Sequence, residues 1–222
     1  MGLRLFFFFS FLLPITVCAQ EINEFNASWL DVNLELDWNK RVAFELKQST
    51  RYLEFYEDYE SSHTTFKASY EIKDWLKVIG GYRYISRERN NRRFNRYQLA
   101  LQARTSIDKI KLTWRSRYEY RDAIDRDRTT TRLRNRLSAA YNIKKIDLEP
   151  KVFMEYWYTF DEDIKDFSKY RIGLALTKGI VKRLEAKLGY YYDADINQEE
   201  IDQKHIVLLG LAYKFKRKKA TK

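Results

Sequence analysis

A long alternation of apolar and polar residues is the feature that most limits how this chain can fold. In KLTWRSRYEYR, residues 111–121, the apolar positions are Leu112, Trp114, Tyr118 and Tyr120. The intervening positions carry mainly cations. A period of two places successive side chains on opposite faces of a β-strand. The pattern therefore predicts strands with one apolar face and one charged face.

The same alternation recurs along the whole chain and predicts eleven strands. We expect them near residues 28–38, 41–52, 64–72, 76–86, 96–106, 110–120, 131–141, 146–159, 170–177, 183–192 and 205–215. Most have the nine to twelve residues that a tilted strand needs to cross a bilayer. Strands of soluble domains are shorter, with about five or six residues. Short breaks alternate with longer polar segments at 53–63, 87–95, 121–131, 160–169 and 193–204.

Strands that span a membrane must pair all their backbone groups with neighbouring strands, so only a closed barrel is possible. We therefore predict an all-β fold, an antiparallel up-and-down transmembrane β-barrel of about 10–12 strands. Short periplasmic turns and longer extracellular loops would connect the strands. Tyrosine pairs such as Tyr118 and Tyr120 precede the longer segments, as in an interfacial aromatic girdle. The alternative is a soluble, lipocalin-like periplasmic barrel with its apolar face inward.

Two features conflict with a regular bacterial barrel. Eleven is an odd number, whereas single-chain bacterial barrels have an even number of strands. Residues 20–27 could form a short twelfth strand. Pro150 lies inside the eighth predicted strand, although proline cannot donate a hydrogen bond to a neighbouring strand. We expect Pro150 to begin that strand or to mark a bulge.

The first residues are typical of a secretory signal peptide. Arg4 supplies a positive charge, Leu5 to Leu13 form an apolar run, and Val17-Cys18-Ala19 resembles a cleavage site. We predict a signal peptide over 1–19 and one barrel domain over 20–222. A lipoprotein anchored through Cys18 is the alternative. Because Cys18 is the only cysteine, the mature protein would have no disulfide, cysteine nucleophile or thiolate metal site.

The charge of the chain is basic and widely distributed. The formal net charge is +11, with acids among the cations throughout. A basic chain can bind nucleic acid, but export argues against that role. The C-terminal KFKRKKATK is the main basic cluster, and a solvated tail is the simplest interpretation.

In a barrel, the charged faces of the strands would line the lumen. Predicted lumen-facing cations outnumber acids by about two to one. We predict a lumen charge network formed by Arg115, Arg117, Glu119, Arg132, Arg134, Arg136, Glu155 and Arg171. One interpretation is a set of ion pairs that fills a narrow barrel, since buried charges must be paired. The other is an anion-selective or anion-binding lumen, which arginine rings favour.

The sequence gives little support for catalysis or metal binding. Of its two histidines, His63 falls in a predicted loop beside Ser61 and Ser62, and His205 begins the last strand. No nucleophile motif is present, so we predict that the protein is not an enzyme and has no catalytic residues. We also predict no cofactor and no metal site. The carboxylates of DADINQEEID lack the EF-hand spacing for calcium.

Several patterns together are similar to an uncharacterised family. They are RLRNRL with Arg132, Arg134 and Arg136 on one face, then Pro150 and Glu155 in PKVFMEYWY, the early Trp29, and the final HIVLLGLAYKF. The chain resembles the bacterial outer-membrane β-barrel family known as the domain-of-unknown-function family numbered twenty-four-ninety. The resemblance implies an outer-membrane barrel and carries no known activity or catalytic residues.

Together, these observations predict a bacterial outer-membrane barrel. Its predicted role is a porin-like passive channel, or a binding barrel, for small anionic solutes. Its expected partners are membrane lipid and such solutes, without nucleic acid, and the expected state is a monomer. An outer-membrane hydrolase acting on lipid or a surface polymer is the first alternative, and the soluble lipocalin-like barrel is the second.

Overall fold

A computed structural model describes residues 22–88, 91–125, 128–160, 165–196 and 201–216. Eleven strands close into one barrel. The strands are β1 (Ile22–Asp37), β2 (Val42–Leu53), β3 (Asp58–Lys73), β4 (Leu76–Arg87), β5 (Arg92–Ile107), β6 (Ile110–Ala123), β7 (Thr129–Tyr141), β8 (Leu148–Phe160), β9 (Lys165–Val181), β10 (Leu184–Asp195) and β11 (Ile201–Lys216). The predicted signal peptide and the end of the basic tail lie outside the described residues. No helix in the described ranges is long and apolar enough to cross a membrane.

The odd number of strands is accommodated by one parallel pair. Each strand is antiparallel to the next along the chain, whereas β1 and β11 pair in parallel and close the barrel. With eleven strands, the first and the last run in the same direction, so closure requires this geometry. Residues 22–27 are the beginning of β1. The prediction of eleven strands is therefore confirmed, and the alternative of a twelfth strand is wrong for these residues.

The strands extend further than the sequence pattern indicated. Most of each polar segment is strand, and the connections 54–57, 88–91, 124–128, 161–164 and 196–200 have four or five residues. We call this end of the barrel the loop end. The opposite end, the turn end, has connections of two residues at 74–75, 108–109 and 182–183, of four residues at 38–41, and of six residues at 142–147. The last of these includes a short 3-10 helix, Lys144–Ile146. Pro150 lies where β8 is paired with β9 but not yet with β7. Its missing N–H group therefore removes no hydrogen bond from the β7–β8 ladder.

The two faces of the strands separate as the alternation predicted. On β6, the side chains of Trp114 and Tyr118 are 47% and 50% exposed, whereas Arg117 and Glu119 are buried. The apolar face therefore points outward and the charged face points inward. This is the reverse of the lipocalin-like arrangement, so that alternative is wrong about which face lines the interior.

Aromatic side chains surround the outside of the barrel towards the loop end. The ring of Tyr97 lies between those of Tyr82 and Tyr120, with centroid distances of 5.5 and 6.5 Å. Phe167 contacts both Tyr156 and Tyr158 in edge-to-face geometry. Amphipathic rings are favoured at the boundary between hydrocarbon and water. This arrangement is consistent with an aromatic girdle.

An apolar cluster occupies one side of the interior, which the alternation alone did not predict. It consists of Ala27, Trp29, Leu53, Phe153, Tyr191, Ile206 and Leu208. Gly173 on β9 allows these rings to approach, because a Cβ there would overlap Phe153 and lie 2.6 Å from Tyr191 Cδ1. The interior therefore has an apolar side around β1, β8, β10 and β11, and a guanidinium-rich side around β4 to β7.

A charged contact at the loop end joins the beginning of β5 to the connection that follows β6. Arg93 donates its backbone N–H and its Nη2 to Asp125, at 3.0 and 2.8 Å. These hydrogen bonds lower the pKa of the Asp125 carboxyl. Both side chains are largely exposed, so the contact fixes the geometry of the loop end more than it stabilises the fold.

Candidate functional site: two chambers in the barrel interior

The larger interior cavity opens towards the loop end and has a volume of about 310 Å³. We call it the loop-end chamber. Among the described residues, sixteen cations line it against three acids, Asp31, Glu60 and Asp193. The cations are Lys47, Arg51, Lys67, Arg83, Arg87, Arg96, Arg115, Arg117, Arg121, Arg132, Arg134, Arg136, Lys169, Arg171, Lys187 and Lys204. The lining of this chamber therefore carries a large excess of positive charge.

The structure brings together the eight residues of the predicted network. The six arginines, Arg115, Arg117, Arg132, Arg134, Arg136 and Arg171, all line the loop-end chamber. Glu119 and Glu155 lie beside them, each with a side chain only 1% exposed. They occupy β6, β7, β8 and β9, which are consecutive in the sheet, so their inward positions form one continuous surface.

Glu119 is the centre of the network. Its carboxylate is 3.2 Å from Arg117 Nη1, 3.6 Å from Arg96 Nη1, 3.6 Å from Arg134 Nη1 and 3.8 Å from Arg132 Nη2. These arginines come from β5, β6 and β7. A buried carboxylate requires such compensation, because burial of an unpaired charge is costly. Four cations around one acid leave a local excess of positive charge.

Two further acids hold arginines through paired hydrogen bonds. Arg134 Nε and Nη2 donate to the two oxygens of Glu155 at 2.5 and 2.6 Å. Arg171 donates to both oxygens of Asp193 on β10, with Nη2 at 2.6 Å from Oδ2. This two-pronged geometry fixes the guanidinium plane as well as its position. The acids therefore orient part of the arginine lining.

Aromatic rings also orient arginines in the lining of the loop-end chamber. The guanidinium of Arg51 lies 4.1 Å from the centroid of Trp29, and that of Arg171 lies 4.8 Å from it. Arg136 lies 3.6 Å from the centroid of Phe153. Stacking attracts the cation to the ring face while leaving the N–H groups at its edges able to donate. The apolar cluster thus supports the guanidinium lining.

Several chamber cations have no acidic partner. Among the described residues, Arg51, Arg83, Arg87, Arg115, Arg136 and Lys187 have no carboxylate within 4.0 Å. Arginines also face arginines directly across neighbouring strands, in the pairs Arg83–Arg96, Arg115–Arg136 and Arg117–Arg134. Directly opposed like charges are destabilising. An anion bound between them would relieve the repulsion.

A second cavity lies towards the turn end and has a volume of about 250 Å³. We call it the turn-end chamber. Its acids are Glu35, Asp37 and Glu45, and its cations are Lys67, Lys77, Arg115 and Arg117. Lys67 donates to Glu45 at 2.6 Å. The turn-end chamber is therefore much closer to electrical balance than the loop-end chamber.

His63 lies in the barrel wall, so its predicted position in a loop is wrong. Both Ser61 and His63 belong to β3 and point inward, and Ser61 Oγ is 3.1 Å from His63 Nε2. Both are buried, and His63 Nδ1 has no hydrogen-bond partner among the described residues. Neither residue lines either chamber. The pair thus lacks the acid that would orient the imidazole, and neither chamber brings a substrate to it.

The structure describes only some of the carboxylates of the DADINQEEID segment. Asp193 binds Arg171, and Asp195 lies 2.9 Å from Lys169. Residues 197–200 lie outside the described residues. Within the described ranges, no group of three or more histidine, cysteine, aspartate or glutamate residues could hold a metal ion.

Sequence reasoning missed the aromatic and loop-end parts of the site. Trp157 and Tyr191 lie among outward-facing tyrosines in the sequence, so little in the sequence indicates that they point inward. Alternation from Glu155 is a signal for Trp157, which lies two residues further along β8. The predicted loops contain Arg87, Lys169 and Lys204, because polar residues flank them on both sides and the alternation there is weak.

Comparison with protein families identifies the relatives of this chain. The family model described as "Protein of unknown function (DUF2490)" matches residues 26–205. The chain belongs to the DUF2490 family. The match covers all of the strands from which the eight network residues come, and every charged residue that lines the loop-end chamber of this DUF2490 protein lies within it. Comparison with curated protein sequences gave no match.

One solved structure supports the barrel fold of this DUF2490 protein. A structure described as "Bacterial polysaccharide outer membrane secretin" aligns with a TM-score of 0.52 and 10% sequence identity. It covers 76% of this chain, and this chain spans 62% of that one. "Outer-membrane expressed OmpT of Vibrio cholerae" aligns with a TM-score of 0.42 at 9% identity, covering 69% and 54% of the two chains. At such identity the first likeness concerns the barrel fold alone.

Proposed function

We propose that this protein is a monomeric outer-membrane barrel whose loop-end chamber binds and admits small anionic solutes. The observation that carries the proposal is the uncompensated charge of the chamber. Six of its cations have no carboxylate within 4.0 Å among the described residues. A guanidinium matches the geometry of phosphate and carboxylate groups, so these groups suit small oxyanions.

The membrane location rests on the outer surface of the barrel. Leu174, Leu176 and Leu209 are 57%, 44% and 45% exposed, and aromatic rings surround the loop end. Large exposed apolar surfaces are unfavourable in water but suit a hydrocarbon environment. The barrel fold is also similar to that of an outer-membrane protein. We include in the proposal that the protein works without a cofactor or enzymatic activity and binds membrane lipid but no nucleic acid.

A purely structural charge network explains only part of the interior. It accounts for the arginines that form ion pairs with Glu119, Glu155 and Asp193. It does not account for Arg51 and Arg136, which stack on rings and have no acidic partner. Retaining such charges in a barrel interior costs stability unless something neutralises them. A soluble anion provides that neutralisation.

Binding of inorganic pyrophosphate to the refolded barrel tests this proposal. Isothermal titration in detergent at low ionic strength should detect binding by the wild-type protein, and added salt should weaken it. Because hydrogen bonds to charged groups contribute about 1.5–3 kcal/mol, replacing both Arg51 and Arg136 with glutamine should weaken binding roughly tenfold or more. Arg104→Gln is the matched control, since Arg104 lines neither chamber. Absent binding, or equal binding by all three proteins, would contradict the proposal.

A further inference from the structure

The two chambers meet at three cations. Lys67, Arg115 and Arg117 are the residues that line both of them. They lie on β3 and β6, on the inward face in each case. A solute that moved from one chamber to the other would pass these three side chains. Their charges set the electrostatic barrier at the boundary.

Two of these cations are held by acids on opposite sides of the boundary. The Lys67 ammonium donates to Glu45, which lines the turn-end chamber, at 2.6 Å. Arg117 donates to Glu119, the centre of the arginine network, at 3.2 Å. Each of these charges is therefore partly neutralised by a fixed neighbour. Their charges are therefore less available to a mobile anion at the boundary.

Arg115 differs from both. Among the described residues, its guanidinium has no carboxylate within 4.0 Å. On the neighbouring strands it faces Arg136 on β7 and Gln102 on β5, neither of which can neutralise it. Its positive charge is therefore the one at the boundary that remains available to a mobile anion.

We propose that Arg115 determines the ion selectivity of the barrel at the boundary between the two chambers. A small oxyanion bound in the loop-end chamber would pass Arg115 before it meets Glu35, Asp37 and Glu45 of the turn-end chamber. The Arg115 charge lowers the barrier for an anion at this point and raises it for a cation. This inference rests on the proposed function, because it assumes that the lumen admits anions.

The experiment measures reversal potentials of single barrels in planar bilayers under a potassium chloride gradient. The wild-type protein should conduct and prefer chloride. Arg115→Lys should keep that preference, Arg115→Gln should move the reversal potential towards zero, and Arg115→Glu should reverse its sign. Arg104→Gln removes the same charge outside both chambers and should leave the reversal potential unchanged. A heat-induced shift in gel migration would show that each variant is folded before its currents are interpreted.

Unchanged selectivity in folded Arg115→Gln and Arg115→Glu would overturn the inference, and so would a wild-type barrel without current. Pyrophosphate titration separates this failure from that of the proposed function. A barrel that binds pyrophosphate but shows no effect of Arg115 retains its anion-binding chamber and loses only the proposed selectivity residue. A barrel that does not bind pyrophosphate loses both.

Discussion

Arg134 and Glu155 form a two-pronged ion pair inside the barrel, with hydrogen bonds of 2.5 and 2.6 Å. Arg134 is on β7 and Glu155 is on β8, so the contact joins two neighbouring strands on the inner face of the barrel. The same guanidinium lies 3.6 Å from Glu119 and 4.5 Å from the centroid of Trp157. This one arginine therefore connects Glu119 and Glu155 with the aromatic side of the lumen.

Removal of Glu155 should destabilise the barrel strongly. Glu155→Gln leaves Arg134 buried with half of its ionic compensation, and breaking a buried pair costs about 3–5 kcal/mol. Urea unfolding from lipid vesicles, followed by tryptophan fluorescence, measures the change in the free energy of unfolding. Glu185→Gln is the control. The side chains of Glu185 and its partner Lys214 are 32% and 38% exposed, so this ion pair should contribute about 1 kcal/mol or less. Equal losses in the two variants would contradict a specific role for the interior pair.

Substitution by alanine should have different effects at Gly80 and at Gly173. A Cβ at Gly173 would overlap Phe153 and lie 2.6 Å from Tyr191 Cδ1, whereas a Cβ at Gly80 meets no atom within 4 Å. Overpacking costs about 1–3 kcal/mol, so Gly173→Ala should lower the free energy of unfolding and Gly80→Ala should not. Adding Phe153→Leu to Gly173→Ala should recover part of the loss. A greater loss in Gly80→Ala would show that the packing of the apolar cluster is misassigned.

Leu112 and Thr113 are neighbours on β6 that face opposite environments. Leu112→Arg places a guanidinium in hydrocarbon, at a cost of about 2–4 kcal/mol near the midplane and less towards an interface. Thr113→Arg adds a cation to an interior that is lined by charged side chains, and nearby Arg115 and Arg117 would repel it. Refolding into vesicles should therefore be impaired more by Leu112→Arg than by Thr113→Arg. The reverse order would mean that the facing is shifted by one residue along β6.

Ser61 should not behave as a catalytic nucleophile. It is 1% exposed and its partner His63 has no acid hydrogen-bonded to Nδ1 among the described residues. We therefore expect no labelling of the refolded barrel by a fluorophosphonate probe, and no difference between the wild-type protein and Ser61→Ala. Labelling that disappears in Ser61→Ala would favour the hydrolase alternative instead.

The fold could be predicted from the sequence because a barrel with an apolar outer face and a charged inner face imposes one strict rule, a period of two. On β6 that rule gave the facing of Trp114, Tyr118, Arg117 and Glu119 without any tertiary information. It also gave the number of strands. It could not give the parallel pairing of β1 with β11, because closure depends on the whole sheet and leaves no local pattern in either strand.

The site was only partly predictable for two physical reasons. The loop-end extensions of the strands carry polar residues on both faces, so Arg87 and Lys204 had no alternation to distinguish them from a loop. The interior also mixes apolar and charged groups, since Arg51 and Arg171 stack on Trp29. A rule that assigns apolar residues outward cannot predict such contacts. The contact of Arg171 with Trp29 also joins β9 to β1, which lie far apart in the sequence.

Relative rates of cysteine modification test the central claim most directly. Cys18 is the only cysteine of the chain, so a protein beginning at Gln20 has none and each introduced cysteine is unique. Ser49→Cys places a thiol in the lining of the loop-end chamber, and Leu209→Cys places one on the outer apolar face of β11. Each variant, folded in vesicles, is treated with an anionic and a cationic thiosulfonate reagent of similar size, and each rate is normalised to that of a free thiol.

A cationic chamber raises the local concentration of anions, so the thiol of the Ser49→Cys variant should react about tenfold or more faster with the anionic reagent. The Leu209→Cys thiol should be protected from both reagents in vesicles and become reactive in denaturant. Equal normalised rates at position 49, or faster reaction with the cationic reagent, would contradict an anion-attracting lumen. Free reaction at position 209 in vesicles would contradict the lipid-facing assignment of the outer surface.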